Sequence, residues 1–257
     1  MSGSEGHPVL SVQDIHREFG GVQAVNGASF DLPPHCITGL IGPNGAGKST
    51  MLGMIAGALR PTVGTILFEG RDITAEPAYR RARRGIVRTF QMSSEFAKLT
   101  VLENLLVAVP SPKGESFWGA ILGKRYWGAE EQRSIQQARH LLDRFNMAEK
   151  ESEYAGNLSG GQKRLVEIMR ALMARPRLLL LDEPMAGVHP NLAQKIAGYL
   201  EDLRQEGLTM LLIEHELGLV ERLCNPIVVM AQGKVISEGT MREIRSRRDV
   251  VDAYLVG

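Results

Sequence analysis

The stretch Gly42-Pro43-Asn44-Gly45-Ala46-Gly47-Lys48-Ser49-Thr50 contains the phosphate-loop pattern G-x-x-x-x-G-K-[ST]. Glycines at those places let the backbone curl without Cβ clashes, so that successive N–H groups face the oxygens of a phosphate. A helix beginning at the same spot adds the positive end of its dipole. Lys48 is then placed to reach the β- and γ-phosphates, and the Ser49 hydroxyl to complete a Mg²⁺ shell. A glycine-rich turn carrying a stray lysine is the plain alternative, and the flanking strand and helix patterns argue against it.

Further stretches carry groups suited to the same chemistry. Asp182 and Glu183 follow four leucines, His215 follows Thr209-Met210-Leu211-Leu212-Ile213-Glu214, and Gln91 closes Gly85-Ile86-Val87-Arg88-Thr89-Phe90. In phosphate-loop proteins one strand-end carboxylate supports Mg²⁺ and a second handles water. A glutamine or histidine at one strand tip is by itself more often structural. Three polar tips on one parallel sheet shift that balance, because open α/β sheets bind ligands at the carboxyl ends of their strands. Ser159-Gly160-Gly161-Gln162 opens a helix with a serine cap and two glycines. That entry leaves backbone N–H groups exposed at the helix start and reads either as a second anion-binding end or as an ordinary capped helix.

These groups need elements to hold them. The apolar run Cys36-Ile37-Thr38-Gly39-Leu40-Ile41, bounded by Pro33-Pro34, reads as a buried strand, and residues 51–59 have helical apolar spacing. Residues 9–12 and 28–32 read as short strands joined by the segment 18–25, and 64–70 as another strand. Phe19, beside two glycines, reads as an edge residue covering a small sheet or as a platform for a purine ring. The charge run Tyr79-Arg80-Arg81-Ala82-Arg83-Arg84 reads as a solvated helix face rather than a binding patch. From 100 to 175 the pattern is largely helical. Thr100 and Glu103 have capping-box spacing for a helix to about 109, and 128–145 carries the stripe Ile135, Ala138, Leu141, Leu142, Phe145. Phe117, Trp118, Tyr126 and Trp127 read as packing of a helical subdomain. Residues 159–174 form the next helix, 227–239 a hairpin turning at Gln232-Gly233-Lys234, and 241 to about 255 a terminal helix.

Of the 257 residues, 44% are hydrophobic and 23% charged, with a formal net charge of +1. That is an ordinary globular balance with no overall basic field to attract nucleic acid. No apolar run suffices to span a bilayer, and the start Met1-Ser2-Gly3-Ser4-Glu5-Gly6 lacks the regions of a secretory signal, so a reducing cytoplasm is expected. Cys36 and Cys224 have no metal-site spacing and read as buried free thiols. The phosphate-loop pattern occurs once, and no internal repeat accompanies it.

Taken in order, these pieces resemble the ATP-binding subunit of an ATP-binding-cassette (ABC) transporter, from about Val9 to Leu255. The most specific element is Leu158-Ser159-Gly160-Gly161-Gln162, which matches the family signature. The resemblance implies an α/β fold: a P-loop NTPase ABC cassette with a RecA-like core, an N-terminal antiparallel β subdomain and an α-helical signature subdomain. Residues 1–257 would form one such domain, with 1–91 and 158–257 as the α/β core and 92–157 as the mainly helical part. ATP and Mg²⁺ are the implied cofactors. By motif, Phe19 would stack on adenine, and Gly42, Pro43, Asn44, Gly45, Ala46, Gly47, Lys48, Ser49 and Thr50 would hold the phosphates. Ser49, Gln91 and Asp182 would serve the metal, Glu183 would be the general base, and His215 would contact the γ-phosphate. Ser159, Gly160, Gly161 and Gln162 would bind ATP held by the opposite subunit, because the family works as a head-to-tail pair of identical or homologous cassettes.

Implied partners are transmembrane permease subunits, whose coupling helix would enter a groove near residues 91–99, and an extracytoplasmic solute-binding protein acting through them. Nucleic acid is not among them, and the implied location is the cytoplasmic face of the membrane. Several phrases are similar to the branched-chain amino-acid importers and their urea or amide relatives: Phe19-Gly20-Gly21 with Ala24-Val25, Arg88-Thr89-Phe90-Gln91, Ala186-Gly187, Ile213-Glu214-His215-Glu216, and Glu238-Gly239-Thr240 with Val251-Asp252-Ala253-Tyr254-Leu255. The loop after Pro184 departs from the wider family by carrying His189 where an aspartate is usual. Alternatives are the cassette of a lipid or lipopolysaccharide exporter and a non-transport ABC ATPase. DNA-repair members need a long coiled-coil arm, for which the interval 92–157 is too short.

Overall fold

A computed structural model describes residues 7–89, 96–110 and 124–247, the side chains of 124–129 excepted. The strands are β1 (Leu10–Phe19), β2 (Val22–Leu32), β3 (Ile37–Ile41), β4 (Val63–Phe68), β5 (Arg71–Asp72), β6 (Ile86–Arg88), β7 (Leu178–Asp182), β8 (Thr209–Ile213), β9 (Ile227–Ala231) and β10 (Lys234–Gly239). The helices are α1 (Lys48–Ile55), α2 (Ala78–Arg83), α3 (Val101–Leu106), α4 (Lys124–Arg144), α5 (Gly160–Met173), α6 (Pro190–Gln205), α7 (Leu217–Leu223) and α8 (Met241–Ser246). Contacts divide the chain into one unit of Met1–Arg88, Arg177–Ala186 and Gln194–Gly257, and another of Thr89–Pro176 and Gly187–Ala193.

In the first unit one sheet is antiparallel, in the order β2-β1-β4-β5. The expectation of two short strands near the N-terminus is corrected: β1 and β2 form one long hairpin, paired from Leu10↔Leu32 to Phe19↔Val22 around Gly20-Gly21. A register shift between Val12 and Ile15, where Asp14 takes φ 48, breaks the apolar alternation and hides the strand's length in the sequence. The other sheet runs β10-β9-β3-β8-β7-β6, parallel except for the terminal antiparallel pair β9–β10. β3 and β8 are buried at every residue, and β7 through Leu181. Unbroken apolar runs of this kind suit a parallel sheet covered on both faces. The register carries Asp182 level with Ile213, so neighbouring strand tips end together.

Helix α1 has buried Met51, Leu52, Met54 and Ile55, which join one core cluster with residues of both sheets. A helical stretch buried on all sides, as residues 51–55 are, must be enclosed. Its far end explains a second correction. Arg81 lies in the charge run expected to be solvated, yet it is 1% exposed. Its guanidinium donates to the carbonyls of Met54 (2.6 Å), Ile55 (2.9 Å), Glu76 (2.9 Å) and Thr74 (3.0 Å). The last carbonyls of a helix lack the usual intrahelical donors; Met54's accepts from the Gly57 N–H at 3.2 Å as well as from Arg81, and a cation there also suits the helix dipole. Tyr79, Arg80 and Arg83 remain exposed, and Arg84 pairs with Glu76.

In the second unit Thr100 and Glu103 make the expected capping box, although α3 stops at Leu106. Ala138, Leu141 and Leu142 bury the stripe of α4 with Phe145 just beyond it, and Leu165, Val166, Ile168 and Met169 that of α5. Helix α5, expected with the α/β core, groups instead with α3 and α4, against which it packs. Phe117 and Trp118, the side chains of Tyr126 and Trp127, and the expected continuation of the terminal helix beyond 247 lie outside the described residues. Among those described, no helix is long and apolar enough to cross a membrane. Both cysteines are free; Cys224 is buried and its thiol is pushed up to about 12, whereas Cys36 is only half-buried.

Candidate active site

Three neighbouring parallel strands set the site. β3, β8 and β7 lie side by side, and their carboxyl ends carry the glycine loop, Glu214-His215 and Asp182-Glu183 respectively. Two loop glycines are obligatory. Gly42 (φ 151) would, with a Cβ, strike the Met230 carbonyl oxygen, and Gly47 (φ 99) that of Ala24. The loop is braced from behind by the β9–β10 turn, where the Gly233 N–H donates to the Ala46 carbonyl at 3.1 Å. The Gly233 carbonyl in turn accepts from Asn26 of β2 at 2.8 Å.

Gly47 is the N-cap of α1, with no side-chain cap and no acidic residue in the first turn. The first bond back along the helix is Met51 N–H to the Gly47 carbonyl, at 2.9 Å. The N–H groups of Lys48, Ser49 and Thr50 therefore have no intrahelical acceptor and stand at the positive end of the dipole. Lys48 is 6% exposed, and its Nζ donates to the carbonyls of Gly42 (2.7 Å) and Pro43 (2.9 Å). Burial lowers its pKa from the ordinary lysine range, against the opposing charges of Glu183 and Asp182.

At the tip of β7, Asp182 Oδ2 accepts from Arg88 Nη2 at 2.8 Å, both side chains being partly buried. Glu183 takes the left-handed conformation (φ 48), which costs a non-glycine residue roughly 1–2 kcal/mol. Its N–H donates to the Ile213 carbonyl at 3.0 Å, and its Oε1 lies 2.7 Å from His215 Nε2. Between these groups sits Glu214, to which sequence reasoning gives no role. It is 5% exposed, with Oε1 accepting from the Met185 N–H (2.9 Å) and Oε2 from the His215 N–H (3.3 Å).

Elsewhere in this unit Phe19, at the tip of the β1–β2 hairpin, is 42% exposed, and the Arg17 guanidinium lies 4.5 Å from its ring centre. Arg17 is anchored by donating to the Arg60 carbonyl at 2.9 Å. Gln91 lies outside the described residues. In the second unit, Ser159 caps α5: its Oγ accepts from the Gln162 N–H (3.3 Å), and Gln162 Oε1 accepts from the Ser159 N–H (2.9 Å). A Cβ on Gly160 would meet nothing within 4 Å, whereas one on Gly161 would strike Leu192. His189 opens α6, its carbonyl accepting from Leu192 (2.8 Å) and Ala193 (3.0 Å).

A buried parallel strand leading through a glycine loop into an uncapped helix, with a buried lysine and strand-end carboxylates beside it, defines a phosphate-loop nucleotide-binding protein. The chain belongs to the ABC transporter family, whose sequence model matches residues 25–186. It is 39% identical over 249 residues to the high-affinity branched-chain amino acid transport ATP-binding protein BraF of Pseudomonas aeruginosa, across 96% of this chain and 98% of the relative. To the probable branched-chain amino acid transport ATP-binding protein LivG of Archaeoglobus fulgidus it is 38% identical over 247 residues, across 96% and 95%. Among solved structures, the ADP conformation of MJ1267, an ATP-binding cassette of an ABC transporter, superposes with a TM-score of 0.85 at 36% identity, covering 98% of this chain and 100% of that one. The chain is accordingly an ATP-binding, ATP-hydrolysing cassette.

Proposed function

We propose that the chain binds Mg·ATP at the end of β3 and hydrolyses it with Glu183 as general base, powering uptake of branched-chain amino acids or a related small polar solute. The observation that carries the site assignment is the 2.7 Å contact between Glu183 and His215, from adjacent strands beside Lys48. The free N–H groups at the start of α1 receive phosphate oxygens, and Lys48 exchanges its carbonyl partners for the β- and γ-phosphates. Glu183 takes the proton of the attacking water, while His215 holds both that carboxylate and the γ-phosphate in place. The Ser49 hydroxyl, exposed on the first turn of α1, and the Asp182 carboxylate are oxygen donors of the kind Mg²⁺ takes, and with Gln91 they would hold it. When bound, Mg²⁺ neutralises charge on the phosphates. Phe19 supplies a face for adenine.

Ser159, Gly160, Gly161 and Gln162 complete the nucleotide site of a second, identical or homologous cassette. Both cassettes work under transmembrane permease subunits at the cytoplasmic face of the membrane, with an extracytoplasmic solute-binding protein acting through the permease. The solute assignment rests on the names of the relatives, since the cassette itself handles only nucleotide. Glu183→Gln should bind a fluorescent ATP analogue within about twofold of wild type, lose turnover by about 10³-fold, and accumulate an ATP-bound dimer in sedimentation. Near-normal turnover would remove Glu183 from the role of base.

A further inference from the structure

Glu214 has no place in the reaction as drawn, yet its surroundings are unusual for a carboxylate. It is buried at the end of an apolar strand, and its two oxygens are held by backbone N–H groups. Burial pushes its carboxyl above the ordinary carboxylate range, and the two N–H donors pull it back. Where packing alone matters, an apolar residue at such a position is neutral or better. The two donors are informative. One is Met185, separated from Glu183 only by Pro184; the other is the backbone of His215 itself. One carboxylate thus ties together the main chain beside each of the two groups that meet at 2.7 Å.

We propose that Glu214 is a positioning residue, clamping the backbone that follows Glu183 to the backbone of His215 and so setting the approach of the two side chains. The inference rests on the assignment of Glu183 as the base. Glutamine in its place keeps an oxygen for Met185 but turns an amide N–H₂ toward the His215 N–H, donor against donor, so half the clamp survives. Alanine removes both acceptors and leaves two donors without them.

The test uses the full-length chain as Glu214→Ala and Glu214→Gln, with Glu183→Gln alongside. Glu214→Ala should lower kcat for ATP hydrolysis by about 10²-fold, the effect of misplacing a reacting group by about 1 Å. Its affinity for a fluorescent ATP analogue should stay within about twofold, and Glu214→Gln should lose about tenfold in kcat. Hydrogen exchange of the peptide containing Met185 should quicken in both variants, more in Glu214→Ala, with peptides of β3 and α1 unchanged. Should Glu214→Ala fail to fold, the isosteric Glu214→Gln decides alone. Wild-type kcat with unaltered exchange at Met185 overturns the clamp, as does a loss of ATP affinity that matches the loss of kcat. An inactive Glu183→Gln beside a wild-type-like Glu214→Gln refutes the clamp alone, whereas an active Glu183→Gln refutes the base and with it the positioning role of Glu214.

Discussion

Helices α1 and α5 are both entered through glycine, and their first turns are satisfied in opposite ways. α1 has Gly47 as N-cap, no side-chain acceptor and no acid, so its leading N–H groups are left to whatever arrives from outside. α5 is closed by its own residues, Ser159 and Gln162 each accepting from the other's backbone. Two further helices carry the same reciprocal box, at Thr100–Glu103 and Thr240–Glu243. In both of those the third residue is a glutamate, held below the ordinary carboxylate range by the threonine N–H and hydroxyl, and its charge sits on the positive helix end. At Ser159 a neutral glutamine closes the box, accepting from the Ser159 N–H. The helix is capped without its dipole being neutralised, so α5 needs no anion to form and still welcomes one. That difference matches the roles proposed for the two ends: α1 holds the phosphates of its own chain, α5 those of a partner's nucleotide.

The two helix starts differ most at their glycines. Gly47→Ala forces a Cβ into the Ala24 carbonyl at φ 99. It should lower the melting temperature by roughly 4 °C or more and ATP affinity by about 10²-fold or more, read by calorimetry and nucleotide titration. Gly160→Ala meets open space, and should melt within about 1 °C of wild type while binding ATP normally and losing ATP-driven dimer turnover. Equal behaviour of the two variants would erase the distinction. Next in size, Gln162→Glu converts the box to the type at Thr100 and Thr240. It should leave the fold intact but weaken ATP-dependent dimerisation in a Glu183→Gln background by about tenfold or more, seen in sedimentation, because a carboxylate then faces the partner's phosphates. Unchanged dimerisation would mean that the neutrality of Gln162 serves no ligand. Smallest is Ser159→Ala, which loses one cap, about 1 kcal/mol, and should shift the melting temperature by roughly 2–4 °C.

Much of this architecture is legible in the sequence because the parallel strands announce themselves. Leu178 to Leu181 and Met210 to Ile213 are unbroken apolar runs followed by polar tips, and the order of tips places Lys48, Asp182, Glu183 and His215 on one edge. The capping box at Thr100 and the serine cap at Ser159 are legible because their spacing is local, although the reciprocal bond from Gln162 appears only in the structure. What escapes is whatever depends on residues distant in sequence. Arg81 looks like one more cation in a solvated run, and only the fold brings the carbonyls of Met54 and Ile55 to it. Glu214 has no role in the sequence reading, because only the fold brings the Met185 N–H to it. Arg88 belongs to a phrase suggesting relatives, but its pairing with Asp182 requires β6 and β7 to lie side by side. The length of the N-terminal hairpin is hidden by one misplaced residue at the bulge.

The bracing behind the phosphate loop carries one more consequence. The Gly42 turn is shaped against Met230 and the Ala46 carbonyl is tethered by Gly233, so the curvature of a loop near the start of the chain is moulded by a hairpin near its end. The phosphate-loop motif is therefore not portable. Grafted into another protein without that buttress it would spell the right letters and lack the mould. A truncation ahead of β9 should disable the nucleotide grip even though every residue proposed to touch phosphate is still present.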